Sequence, residues 1–147
     1  MSDTPAVYGQ FGQALGLAER TLSAILREHL AQRRTVPEAW YTLRTLATRG
    51  PAYPRAELTR LLEGPGFDAD DAHSLLARLE ADGLIRGDAE LDLTPAGEAQ
   101  YQSLREFISG PSAQLLSQFD LDDIETTVRT LQEITKRATA DSAAAAE

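Results

Sequence analysis

Cysteine is absent from the chain, so neither a disulfide framework nor a thiolate for metal or redox chemistry is available. Long apolar runs are missing as well, since nothing approaches the roughly 20 consecutive apolar residues that a membrane-spanning helix requires. The first residues, Met1-Ser2-Asp3-Thr4-Pro5, lack the basic start and apolar stretch of a secretory signal, which leads to the expectation of a cytoplasmic protein without membrane attachment. Catalytic motifs are equally scarce. The chain has no nucleophilic thiol, no Gly-x-Ser-x-Gly elbow and no zincin pair around His29 or His73, so a non-enzyme without cofactor or metal is expected.

What is present is the balance of an ordinary soluble domain: 147 residues, 42% apolar and 25% charged, enough for one unit with a real core. The formal net charge is −9, the wrong sign for holding a polyanion by bulk attraction. Its distribution is uneven. Residues 1–53 carry six basic groups against four acids (+2), residues 54–93 four against ten (−6), and residues 94–147 four against nine (−5).

Periodicity divides the chain into helices. Phe11, Leu15, Leu22, Ile25, Leu26 and Leu30 fall on one helical face and predict a first helix over 9–34, with Gly12 and Gly16 expected either to fray its start or to pack it tightly against another backbone. Thr35-Val36-Pro37-Glu38 reads as a capping box for a second helix carrying Trp40, Leu43, Leu46 and Ala47, which Gly50-Pro51 ends. Pro54 is expected to open a short third helix with Leu58, Leu61 and Leu62 on one side, up to the turn Gly64-Pro65-Gly66. Asp68 as N-cap, with Asp71 three residues on, starts a fourth helix whose apolar face is Leu75, Leu76 and Leu79. Leu84-Ile85-Arg86 and Leu91-Asp92-Leu93, joined at Gly87-Asp88-Ala89, alternate as a two-stranded hairpin. Thr94-Pro95 then caps a fifth helix, with a kink or break expected at Gly110-Pro111. Asp120 with Asp123 caps a sixth bearing Leu121, Ile124, Val128, Leu131 and Ile134, and residues 139–147 read as a disordered tail.

This order of elements resembles the MarR family of winged-helix transcriptional regulators. The likeness is carried by Leu75-Leu76-Ala77-Arg78-Leu79-Glu80-Ala81-Asp82-Gly83-Leu84-Ile85, similar to the end of the family's recognition helix running into its first wing strand. Leu93-Thr94-Pro95-Ala96-Gly97 is similar to the exit into the dimerisation helix, and Pro37-Glu38-Ala39-Trp40 and Leu121-Asp122-Asp123-Ile124-Glu125 match the second and last helices less closely. The resemblance implies a mainly α chain with a small β-hairpin, a single unit over 1–138 in which 35–93 form a winged helix-turn-helix and 9–34 and 94–138 form dimerisation helices. It further implies a homodimer, through residues such as Leu15, Leu22, Leu121, Ile124, Val128, Leu131 and Ile134, that binds double-stranded DNA. Three amphipathic segments outside the reading module fit that pairing, and fit equally a role in closing a monomer core.

On that template Arg55, Asp70, His73, Ser74, Arg78 and Arg86 are the candidate DNA-facing residues. Arg78 and Arg60 have a second use, as partners of nearby acids such as Glu80, Asp82 or Glu63. Trp40, Tyr41 and Tyr53 would line a cleft for a small-molecule effector or simply pack the core. Asp68, Asp70, Asp71 and His73 cluster in the manner of metal ligands, but their spacing fits no calcium loop, and capping with dipole stabilisation accounts for the carboxylates. The chain departs from the family at its reading face: Asp70 and Asp71 stand where relatives are polar or basic, and the wing turn Arg86-Gly87-Asp88-Ala89-Glu90 is short and has no arginine at its tip. Those departures point to a rival reading, a winged helix turned protein-interaction module without specific DNA binding.

Overall fold

A computed structural model describes residues 4–145. Its elements are α1 (Thr4–Ala31), α2 (Pro37–Arg49), β1 (Tyr53–Pro54), α3 (Arg55–Leu62), α4 (Ala69–Ala81), β2 (Ile85–Gly87), β3 (Glu90–Leu93), α5 (Pro95–Leu116) and α6 (Leu121–Ala145). They form two compact units, Met1–Ile108 and Ser109–Glu147.

The core of the first unit is built from leucine. Leu30 of α1, Leu43 of α2, Leu58 of α3, Leu76 of α4, Leu91 of β3 and Leu104 of α5 are all fully buried, each worth roughly 1.5–3 kcal/mol as area removed from water. Every helix of the unit and the central strand thus contribute one anchor. Two buried threonines are satisfied within their own helices, Thr42 Oγ1 donating to the Glu38 carbonyl at 2.8 Å and Thr59 Oγ1 to that of Arg55 at 2.9 Å.

Several local expectations change. Gly12 and Gly16 lie inside a continuous α1, and Arg34 stops the chain in the left-handed region at φ 57°. The Thr35–Glu38 capping box does not form. Pro37 takes the first helical position, which makes Val36 the N-cap, without a side-chain bond, and Glu38 accepts from Arg27 Nη2 at 2.9 Å instead. A proline at that position removes one of the amides a cap would have satisfied. In α3 the buried side is Leu58, Thr59 and Leu62, while Leu61 is exposed.

The hairpin gains a third strand. The order is β1-β3-β2, all antiparallel, with Ile85 opposite Leu93, Gly87 opposite Leu91, and Tyr53 on the far side of Leu91. Thr94 joins this sheet to α5. Its amide donates to the Leu84 carbonyl at 3.1 Å, its hydroxyl donates to the Gly83 carbonyl at 2.5 Å, and the same oxygen accepts from the Gly97 amide at 3.0 Å. The Thr94-Pro95 N-cap is therefore as expected. It requires glycine at 97, where any Cβ would collide with the Leu84 carbonyl and press on the Leu93 side chain.

In the second unit, α5 runs on through Gly110 and Pro111 without the expected break. Pro111 removes one ladder bond on an exposed stretch, where water can satisfy the carbonyl left over. Asp120 Oδ1 accepts from the Asp122 amide at 2.8 Å and starts α6. That helix continues to Ala145, so residues 139–145, expected to be disordered, are helical; residues 146–147 lie outside the described residues.

Candidate nucleic-acid interface

The geometry of the reading face begins with the cap of α4. The Asp71 amide donates to Asp68 Oδ1 at 2.9 Å and the Asp68 amide to Asp71 Oδ2 at 3.0 Å, a reciprocal box that fixes where the helix starts. From there Ala72, Leu75, Leu76 and Leu79 enter the core, and the 3.6-residue period leaves Asp70, His73, Ser74, Ala77 and Arg78 exposed. Before α4, Gly64 and Phe67 exchange both backbone hydrogen bonds at 2.9 Å, so residues 64–67 of the connection between α3 and α4 form a closed loop.

Two grooves flank the helix. On one side Ser74, Arg78 and Asp71 line a cavity of about 350 Å³ with Arg27 and Glu38. On the other, His73 lines one of about 480 Å³ with Arg55, Arg60, Glu63 and Ala89. The expected DNA-facing set is thus divided by α4: His73 and Arg55 share one groove, Ser74 and Arg78 the other, and Asp70 stands exposed at the start of the helix.

Among the described residues Arg78 makes no ion pair, and Glu80 turns to Arg55. The pairing of Arg78 or Arg60 with Glu80, one of the two uses open to them, is not made. Arg86 lies exposed on β2 opposite Asp92, whose carboxylate accepts from the Ala52 amide at 2.6 Å. The wing turns after Gly87, whose φ of 120° excludes side chains and whose Cα sits hard against the Glu90 carbonyl.

Arg55 is placed differently from an open phosphate contact. Its Nε donates to the Asp88 carbonyl at 2.6 Å, its Nη2 bonds Glu80 and reaches the Gly87 carbonyl at 3.4 Å, and its backbone amide donates to the Ala89 carbonyl at 2.8 Å. No local pattern announces these contacts, because they join residues 25 to 34 positions apart.

Of the aromatic set, Trp40 is buried with its ring stacked on Tyr101, centroids 5.6 Å apart, and Tyr53 is buried in β1. Tyr41 is half-buried beneath the Arg44 guanidinium. The residues named for dimerisation sit at the surface of their own units: Leu15 and Leu22 exposed on α1, and on α6 Leu121, Val128 and Ile134 exposed with Ile124 and Leu131 half-buried.

No protein-family model matches the sequence, nor does any curated protein. Solved structures do. Ligand-free NadR superposes with a TM-score of 0.75 at 22% identity, over 88% of this chain and 98% of that one. A MarR family protein from Bacillus stearothermophilus gives 0.73 at 20% identity, over 94% and 99%. A MarR family protein of Mycobacterium tuberculosis in complex with DNA gives 0.68 at 20% identity, over 84% and 95%.

The fold is that of the MarR-family regulators. The resemblance carried by residues 75–85 and 93–97 is thereby borne out at the level of architecture, winged helix-turn-helix included. On this MarR-like frame α4 is the second helix of the helix-turn-helix, and its first turn carries Asp70 and Asp71. Among the described residues, Arg78 on the helix and Arg60 in the groove shared with His73 stand beside that face without an ion pair, as does Arg86, exposed on the wing strand. Among the described residues no helix is long and apolar enough to cross a membrane.

Proposed function

We propose that the protein is a homodimeric transcriptional regulator of MarR type that acts on DNA in the cytoplasm, placing α4 in a major groove and the β2–β3 turn against the backbone beside it. One observation carries the reading: α4 is buried along Ala72, Leu75, Leu76 and Leu79 and presents the opposite side, with Ser74 and Arg78, to solvent, while Arg86 is exposed on the adjoining wing. His73 and Ser74 are then the side chains within reach of base edges, and Arg78 and Arg86 the phosphate contacts. Fluorescence anisotropy with random and selected duplexes over a range of salt tests it. The wild type is expected to bind with a salt-dependent affinity, weak for this class because acids face the phosphates. Arg86→Ala should weaken binding about equally for both duplexes and reduce the salt slope by about one unit. Absence of any salt-dependent binding at low ionic strength would replace the regulator with the protein-interaction module, the reading that the acidic first turn of α4 favours.

Dimerisation belongs to the same proposal. The apolar residues of α6 fall on one stripe, yet none of that helix is buried in the single chain, and α1 exposes Val7, Phe11, Leu15 and Leu22. Such faces fit pairing with a second copy. Light scattering at micromolar concentration is expected to give twice the mass of the chain. Val128→Asp with Ile134→Asp should raise the dissociation constant by at least about a hundredfold while leaving the fold intact, since Val128 is 46% and Ile134 43% exposed within one chain. A double variant that remains a dimer would place the interface elsewhere.

A small-molecule effector completes the reading. The Mycobacterium tuberculosis protein has also been solved with salicylic acid and with p-aminosalicylic acid, and Tyr41 is the half-buried member of the aromatic set. A ligand of that chemistry is expected to lower duplex affinity.

A further inference from the structure

We propose that Arg55 is a positioning residue that sets the wing against the recognition helix, rather than a phosphate contact. Its functional consequence rests on the DNA-binding reading; its structural content does not. All three carbonyls of the wing turn, at Gly87, Asp88 and Ala89, accept hydrogen bonds from this one residue, two from the guanidinium and one from the backbone amide. Its positive charge is met by Glu80 in the last turn of α4. One side chain therefore ties together the start of α3, the end of α4 and the tip of the wing.

The arrangement has a physical reason. β1 is two residues long and β2 three, and a hairpin of that size is marginal in water without further support. A turn carbonyl left without a donor gains nothing from folding, whereas a charged donor makes one of the stronger hydrogen bonds available. The guanidinium fork reaches two successive carbonyls and a carboxylate together, which an ammonium on a flexible stem cannot do. Arg55 is only 26% exposed and Glu80 34%, so the pair is partly withdrawn from solvent and from any phosphate. Arg86 stands on β2 two residues before Asp88, so the clamp fixes the backbone from which it projects.

The test separates the two roles of an arginine. A phosphate contact tolerates Arg55→Lys and, when lost, reduces the salt slope of duplex binding by about one unit. A clamp requires the fork. Arg55→Lys and Arg55→Ala are therefore both expected to lower duplex affinity about tenfold with the salt slope unchanged, in contrast to Arg86→Ala. Glu80→Gln should give a smaller loss, and the Arg55→Ala/Glu80→Gln pair no more than Arg55→Ala alone, because the two share one interaction.

Backbone relaxation of the DNA-free protein supplies an independent readout. Order parameters at Asp88 and Ala89 should match the flanking strands in the wild type and fall to loop values, below about 0.6, in both Arg55 variants. Rescue of affinity by lysine, or a reduced salt slope in Arg55→Ala, would make Arg55 a phosphate contact and overturn the proposal. An unchanged wing in both Arg55 variants would do the same. A wing that loosens in a protein that binds no duplex would uphold the clamp while the regulator reading failed.

Discussion

Replacing Gly97 by alanine is expected to destabilise the protein by about 3 kcal/mol, a drop in Tm of about 10 °C for a chain of this size. Gly97 sits in the first turn of α5, and its Cα lies so close to the Leu84 carbonyl that a methyl group cannot be accommodated. That carbonyl is already engaged, accepting from the Thr94 amide at 3.1 Å. Moving it aside would break this bond and pull Thr94 from the Gly83 carbonyl and the Gly97 amide, both of which its hydroxyl serves. The helix would lose its cap and its docking against the end of α4 in one step. Thr94→Val, which removes the hydroxyl and keeps the shape, should cost about 1–2 kcal/mol, so the two variants rank the close approach above the cap. Thermal unfolding followed by circular dichroism measures both. A loss below about 1 kcal/mol for Gly97→Ala would mean that α5 shifts away from the wing at little cost, and that the glycine in Leu93-Thr94-Pro95-Ala96-Gly97 has another purpose.

The parts of the fold that were legible in the sequence are those whose physics is local. The Asp68–Asp71 box, the Thr94-Pro95 start of α5 and the hairpin between Ile85 and Leu93 each depend on residues a few positions apart, and each forms as its spacing predicts. The misreadings are competitions that spacing alone does not decide. At Thr35 and Glu38 two capping devices overlapped, and Pro37 won by occupying the first helical position. Of the kink or break expected at Gly110-Pro111, the break does not occur, because the helix formers on both sides outweigh one lost ladder bond. β1 was invisible because two residues, one of them a proline, carry no alternation; the strand exists only because Leu91 and Glu90 are placed beside it.

The candidate site was legible to the same degree. Exposure of Asp70, His73, Ser74 and Arg78 follows from the period of α4, which the leucines fix. Arg55 shares a groove with His73, but its partners could not be named, since Glu80 and the wing carbonyls come into reach only when α3, α4 and the sheet have packed. The same packing resolves Arg78. With Glu80 taken by Arg55, a cation on the exposed side of α4 has no ion pair among the described residues.

Asp70 gives the sharpest test of where α4 faces. The structure separates it from its neighbours: Asp68 and Asp71 are tied into the capping box, so substituting either one uncaps the helix and confuses stability with binding, whereas Asp70 is exposed and outside the box. Removing its charge costs the fold only the favourable dipole interaction, about 0.3–1 kcal/mol. If α4 enters a major groove, the carboxylate lies near a phosphate, and two like charges about 5 Å apart repel by roughly 1 kcal/mol in a water-like medium and more where solvent is excluded. Asp70→Ser is therefore expected to tighten duplex binding about five- to tenfold at low salt, an advantage that shrinks as the screening length falls to about 10 Å at 0.1 M. Asp70→Arg should go further, exchanging a repulsion for a phosphate contact and steepening the salt slope by about 0.9. Anisotropy titrations of the wild type and the two variants against one duplex at several salt concentrations measure affinity and slope together. A wild type that binds duplex while Asp70→Arg matches it in both would show that DNA lies against some other face of the molecule, and α4 would lose its assignment as the recognition helix.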